Sequence, residues 1–241
     1  SPTPTITLTP TPVELTLQQG LGGYEEASDT YIHEFSAESF GEAPYLKVSA
    51  DGHYVILIRF ELPASLEGFH IHRATLGVHT RYRNRPLSSL VGTYRVRRSW
   101  QADQATWTHA TNTELWTCSG MCAPEDYDRY PLDEQELSSE DEWYWFDVGE
   151  AVEDWIVDPG GNHGLVLKGG YSGAVIYYFG SSDYDAQPGV RPKLEIVCSG
   201  PGGAPADAAG VRPHTPADTG RWRPAPAQLA VCSPTPTTVP W

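Results

Sequence analysis

Thirty-one acidic side chains and eight histidines give this chain many groups that could move protons or hold ions. Glycoside hydrolysis would need two carboxylates at a set separation across a cleft. With so many acids, chance pairs are certain, and abundance alone carries no argument. No Gly-x-Ser-x-Gly, no His-Glu-x-x-His and no phosphate-cradling glycine loop occurs. His70 and His72 would share a face in an extended segment, as two metal ligands might, but no third ligand accompanies them. The simpler reading is a surface pair, and the chain reads as no enzyme, with no cofactor and no metal. Calcium is the alternative, with oxygen ligands from Asp126, Asp128, Asp133 and Glu134, or from Asp183 and Asp185, though without EF-hand spacing. Sugar binding asks for exposed aromatic faces beside polar groups. Tyr127, Tyr130, Tyr171, Tyr177, Tyr178 and Tyr184 are the candidates. Tyr171 and Tyr184 stand in Gly/Ser/Asp-rich turns, where side chains are accessible. Tyr177 and Tyr178 point to opposite faces of one strand, so at most one is core.

Charge excludes a further class. The net charge of −15 argues against a nucleic-acid partner, because phosphate contacts need a positive surface. Residues 73–98 carry seven Arg and no acid, whereas residues 125–158 carry fourteen acids and one Arg. These are either two solvated faces or complementary poles that meet between neighbouring molecules. The four cysteines read as two disulfides, Cys118–Cys122 as a small loop staple and Cys198–Cys232 as a tie for the far C-terminal segment. Zinc is the alternative, but the second pair lacks close ligand spacing. Disulfides imply an extracellular or cell-surface setting. No segment approaches the ~20 apolar residues of a membrane span. With no initiator Met and no signal peptide, the chain is expected to be a processed or excised piece. Thr beside Pro is a composition of O-glycosylated stalks.

The elements that must position these residues read as all-β. The expected architecture is a jelly-roll-like β-sandwich with one short helix, an acidic insertion and extended Thr/Pro-rich tails. Residues 54–60, 73–78, 92–97, 143–146, 164–167, 174–179 and 193–197 are short strand-like runs between turn residues. Asp147 can cap a helix whose Val148, Val152, Trp155 and Ile156 share a face, and Pro159-Gly160-Gly161 ends it. Residues 1–23 form an N-terminal arm, 24–198 the body, 112–142 an insertion within it, and 199–241 a Gly/Ala/Pro-rich tail. In the arm, Ile6 and Leu8, then Val13, Leu15 and Leu17, alternate as in a strand. Pro10 and Pro12 suit an edge or an added strand.

Ordered motifs carry a family resemblance over about residues 24–198. They are Asp29-Thr-Tyr-Ile32, Arg59-Phe-Glu-Leu62, Ile71-His-Arg-Ala-Thr-Leu76, Val96-Arg-Arg-Ser-Trp100 with Thr106-Trp107, and Trp145-Phe-Asp-Val148 through Trp155. Asn162-His-Gly-Leu-Val-Leu167 and Arg191-Pro-Lys-Leu194 complete the order. The body resembles the disaggregatase-related (DNRLRE) modules. That resemblance implies a secreted jelly-roll-like sandwich associated with carbohydrate binding or cell-surface structure, without a catalytic apparatus. On the residues alone, Trp100, Trp107, Trp145 and Trp155 are expected in the core, and Arg59 is expected to pair with Asp29 or Asp147.

Two functions follow as expectations. The first is a non-catalytic extracellular structural protein, a filament subunit whose arm (Ile6, Leu8, Val13, Leu15, Leu17) adds as a strand to the next copy, head to tail. The alternative is a carbohydrate-binding module of a larger secreted enzyme or adhesin, using Tyr171 and Tyr184 on a glycan.

Overall fold

Period-two alternation along short segments builds two antiparallel sheets, which form an all-β sandwich in a computed structural model that describes residues 11–170 and 173–200. The first sheet holds β1 (Val13–Gln18), β3 (Tyr45–Ser49), β5 (His70–Arg83), β8 (Trp143–Asp147), β10 (Ile176–Gly180) and β11 (Lys193–Ser199). The second holds β2 (Ala27–His33), β4 (Tyr54–Phe60), β6 (Ser89–Arg95), β7 (Asp133–Leu137) and β9 (Leu165–Gly169) in the order β2-β4-β9-β6-β7. The long β5 organises the first sheet. It pairs with β11 from His70 to Gly77, with β8 from Thr75 to His79, and with β10 from Thr80 to Arg83.

Inward residues meet between the sheets. Leu46, Val48, Leu76, Val78, Phe146, Tyr177 and Phe179 of the first pack against Tyr31, Ile56, Ile58, Leu165 and Leu167 of the second. β4 is apolar on both faces because both are covered. Its Val55 and Leu57 point outward, beneath an irregular layer that contributes Trp100, Ala105, Ala110, Trp116 and Met121. The Cys118–Cys122 disulfide lies in that layer. Asp126, fully buried, accepts the Thr117 and Cys122 N–H groups and pairs with Arg98 at 2.9 Å. Burial pushes its carboxyl up, but these donors outweigh burial and hold it below the usual carboxylate range. Lys168 on β9 donates to the Gly120 carbonyl at 2.8 Å, and burial brings its pKa down to about 8 against the pull of Asp126. The outer face of the second sheet is therefore occupied by the chain itself.

The helix α1 (Gly149–Val157) buries Ala151, Val152 and Trp155. Val148 takes the cap position without a side-chain acceptor, and Asp147 instead accepts the Gly149 N–H at 2.9 Å.

The described part of the N-terminal arm pairs within the molecule. Val13, Leu15 and Leu17 pair with Cys198, Ile196 and Leu194 of β11 in the same molecule, and Leu17 is 2% exposed. This strand completes its own sandwich. Ile6 and Leu8 lie outside the described residues, as does Cys232, so the Cys198–Cys232 pairing falls outside them too; Cys198 itself is buried in the core. The charged segments also meet within one molecule. Arg81 pairs with Asp141, Arg83 with Glu140, Arg95 with Asp128, Glu150 and Asp154, Arg97 with Asp128, and Arg98 with Asp126. Among the described residues, no helix is long and apolar enough to cross a membrane.

Candidate functional site

The outer face of the first sheet carries aromatic rings where the second sheet carries a covering layer. Along β8, Phe146 is buried in the core, and Trp143 and Trp145 alternate with it onto the outside, each half-buried. Trp145 stands opposite Gly77 of β5. A Cβ at Gly77 would lie 2.6 Å from the indole Cζ3, so the ring lies across the space that a side chain would fill. Trp143 follows at a centroid distance of 5.4 Å and 25° between planes, with His79 edge-on to it at 5.1 Å. The Lys193 Nζ sits 4.5 and 4.8 Å from the two indole centroids and 3.0 Å from Glu195. Burial, with Arg81 and Lys193 adding, holds His79 below its ordinary pKa although Asp141 opposes them.

A second group of rings lies further along β5. The β5–β10 register shifts between Tyr178 and Phe179, and this irregularity sets Tyr82 opposite Tyr178. The two stack at 4.1 Å and 15°, and Tyr45 of β3 meets Tyr82 edge-on at 5.7 Å. Tyr184, from the turn after β10, meets Tyr45 at 5.2 Å, with the Arg81 guanidinium 5.6 Å from its ring. Tyr82 is 41% exposed. Lys47 then bridges Tyr178, Tyr31 and Tyr54 at 5.6, 4.8 and 5.8 Å. Tyr54 stacks on His33, and the exposed Phe35 stands edge-on to His33. From Trp143, opposite His79, to Tyr82 is one strand spacing and three residues, roughly 11 Å. The face therefore offers a track of rings, with Lys193 over the two indoles and Glu195, His79, Arg81 and Lys47 along it.

The structure redistributes the expected site residues. Tyr184 is 9% exposed and supports the cluster from beneath its rim; it is not an open platform. Tyr171 lies outside the described residues. Tyr177 is the core member of its pair, its hydroxyl donating to the Leu87 and Leu137 carbonyls. Trp145, expected in the core, is only partly buried, and Trp143 carries no expected role. The signal for both was the Trp-Tyr-Trp alternation within a strand. Trp107 is also only half-buried, whereas Trp100 and Trp155 are core residues. Arg59 pairs with Glu61 at 3.0 Å and lies over Trp100; neither Asp29 nor Asp147 is its partner.

Four of the candidate calcium ligands, Asp126, Asp128, Asp133 and Asp185, are engaged by protein groups. Asp128 holds Arg95 and Arg97, Asp133 accepts the Glu134 and Asp147 N–H groups, and Asp185 holds Arg191 at 2.6 Å. Among the described residues no cluster of three or more His, Cys, Asp or Glu is arranged to hold a metal. His70 and His72 meet edge-on at 4.9 Å, and His72 bonds Ser199 at 3.0 Å.

A second concave region adjoins Arg95 and Arg97, as two cavities of about 520 and 390 Å³. Tyr130, 78% exposed, lies on the first, and Trp155 and His163 line the second. The arginines here are already paired with acids, and a single open ring offers less stacking area than the first sheet's face.

A family model for carbohydrate-binding module family 96 matches residues 23–197. No curated protein matches the chain. The match covers nearly the span of the disaggregatase-related resemblance, but it names a carbohydrate-binding family in its place.

Proposed function

We propose that this chain, which belongs to carbohydrate-binding module family 96, holds polysaccharide on the outer face of its first sheet without chemically altering it. The observation that carries this reading is Trp145 lying over Gly77 beside Trp143, with the Lys193 ammonium over the two rings and Glu195 and His79 at the edges. An indole held flat against a sheet presents one apolar face to solvent. A sugar ring has an apolar face of C–H groups and an equatorial rim of hydroxyls, so stacking on the indole leaves the hydroxyls to the charged edges. The tyrosines continue the surface, which suits a chain of sugars better than a single one.

The Cys118–Cys122 bridge supports an extracytoplasmic setting for this role. The filament reading draws no support from β1, whose alternating residues pair within the molecule.

Affinity electrophoresis against soluble xylan, mixed-linkage glucan, galactomannan and polygalacturonate, followed by calorimetry, tests the proposal. Retention by at least one that is lost in Trp145→Ala supports it. Wild-type retention unchanged in Trp143→Ala, Trp145→Ala and Tyr82→Ala would overturn the assignment to this face.

A further inference from the structure

Tyr184 reaches the tyrosine cluster from a turn, residues 181–185, that is fastened from the opposite sheet. Asp29 on β2 is 2% exposed and cannot touch a ligand. Its Oδ2 accepts the Ser182 N–H at 2.7 Å, and its Oδ1 bonds the Ser182 hydroxyl at 3.1 Å. The Ser181 N–H donates to the Pro44 carbonyl, and the Tyr184 N–H donates to the Ser181 carbonyl. Arg191 closes the turn, donating to the Tyr184 and Gln19 carbonyls and pairing with Asp185. Resting on the reading of the outer face given above, we propose that Asp29 is a positioning residue for Tyr184, holding its turn through Ser182 more tightly at mildly acid than at mildly alkaline pH.

The chemistry of the pair gives the direction. As an acid, Asp29 accepts the Ser182 N–H with one oxygen and donates its own proton to the Ser182 hydroxyl, so both groups are satisfied and no charge is buried. As a carboxylate it accepts from both but remains an ion out of water. Its partner on β4 is Ile58. Asp183 acts on it from the turn and Arg191 from the segment entering β11, while Asp185 pairs with Arg191 and, with Glu42, acts on Asp183. Burial dominates and lifts the Asp29 pKa to about 7; the Ser182 donors and Arg191 hold it down, and Asp183 raises it. Opening the turn lets water reach Asp29 and returns the carboxyl toward its ordinary value. A proton therefore favours the closed turn, and the closed turn weakens as pH rises from about 4 through 7.

The test follows backbone amide exchange at Ser182 and Tyr184 in the ligand-free protein, corrected for base catalysis. Between pH 5.5 and 8, wild-type protection is expected to fall on the order of tenfold, and Asp29→Asn to show a flat profile. Ser182→Ala, which keeps the N–H and loses the hydroxyl, moves the midpoint upward. Affinity for whichever of xylan, mixed-linkage glucan, galactomannan or polygalacturonate binds tightest falls in parallel in the wild type but not in Asp29→Asn. Protection independent of pH in the wild type, or the same dependence persisting in Asp29→Asn, overturns the proposal. If exchange behaves as expected and none of the four polysaccharides binds, the role of Asp29 stands and the carbohydrate reading of the face falls.

Discussion

Replacing Gly77 with alanine separates the shape of the outer face from the stability of the fold. The new Cβ would meet Trp145 at 2.6 Å from Cζ3 and 3.0 Å from Cε3 and Cη2. Real side chains do not approach so closely, so the indole must lift or slide. Overpacking of this kind costs about 1–3 kcal/mol, while removing a strand glycine returns roughly 0.5–1 kcal/mol. The net loss of stability should be about 2.5 kcal/mol or less, and the domain stays folded. Binding should suffer more. One face of an indole is about a third of the 150–250 Å² that a large aromatic side chain buries. At ~25 cal/mol per Å², covering it with a sugar contributes about 1.5–2 kcal/mol, a ten- to thirtyfold effect on affinity. Trp145→Ala should lose that amount outright, and Gly77→Ala should lose most of it with tryptophan left in place. Calorimetric titration with the tightest-binding polysaccharide, alongside thermal unfolding, reads both quantities. A Gly77→Ala protein that binds as tightly as wild type would refute the claim that the flat seating of Trp145 makes the site.

Other expected outcomes concern the frame around that face. Removing residues 1–18 strips β1 from β11 and Leu17 from the core, so the truncated chain should lose at least the ~2–5 kcal/mol of a buried leucine and keep the same sedimentation behaviour. Filaments in the intact protein that vanish on this truncation would instead restore the assembly role of the arm. Stability should pass through a minimum between pH 7 and 8. Folded Asp29 binds a proton more strongly than the unfolded 3.8, so up to about 4 kcal/mol is lost as pH rises to about 7. Folded Lys168 gives up its proton near 8 instead of 10.5, so up to about 3 kcal/mol is regained above pH 8. Denaturant melts of Asp29→Asn and Lys168→Met should each lose one arm of that curve. Replacing Cys118 and Cys122 together by serine frees a loop of sequence separation 4 and should cost about 2 kcal/mol, with polysaccharide affinity unchanged because that loop covers the other sheet.

How much of this was legible depended on whether the governing signal is local. The two-sheet architecture was, since alternation, turn residues and the Val148/Val152/Trp155 stripe are properties of a few consecutive positions. The same alternation in β8 put Trp143 and Trp145 on one face, but not which face. That depended on Gly77, which stands in a strand 68 positions earlier in the sequence and leaves the space the indole occupies. Tyr184 departs from its expected exposure for the opposite reason. Its turn composition promises exposure, but Asp29, 153 residues before Ser182 in sequence and in the other sheet, helps draw the turn in together with Pro44 and Arg191.

The arginine-rich and acid-rich segments show why a long-range feature can be seen and still be misassigned. Their charge separation along the chain is plain, and complementarity between them is the natural inference. Whether such poles meet within a molecule or between molecules depends on whether the fold brings them together. Here the route from β6 through the irregular layer to β7, β8 and α1 carries Asp126, Asp128, Asp141, Glu150 and Asp154 back to Arg98, Arg95 and Arg81. The acids pinned against those arginines are not available to hold a neighbouring copy. Likewise the described part of the arm, Val13 to Gln18, is paired along β11 of the same molecule. With these acids and the described part of the arm engaged inside the domain, the partly exposed rings of the first sheet are the surface on which the proposed sugar binding rests.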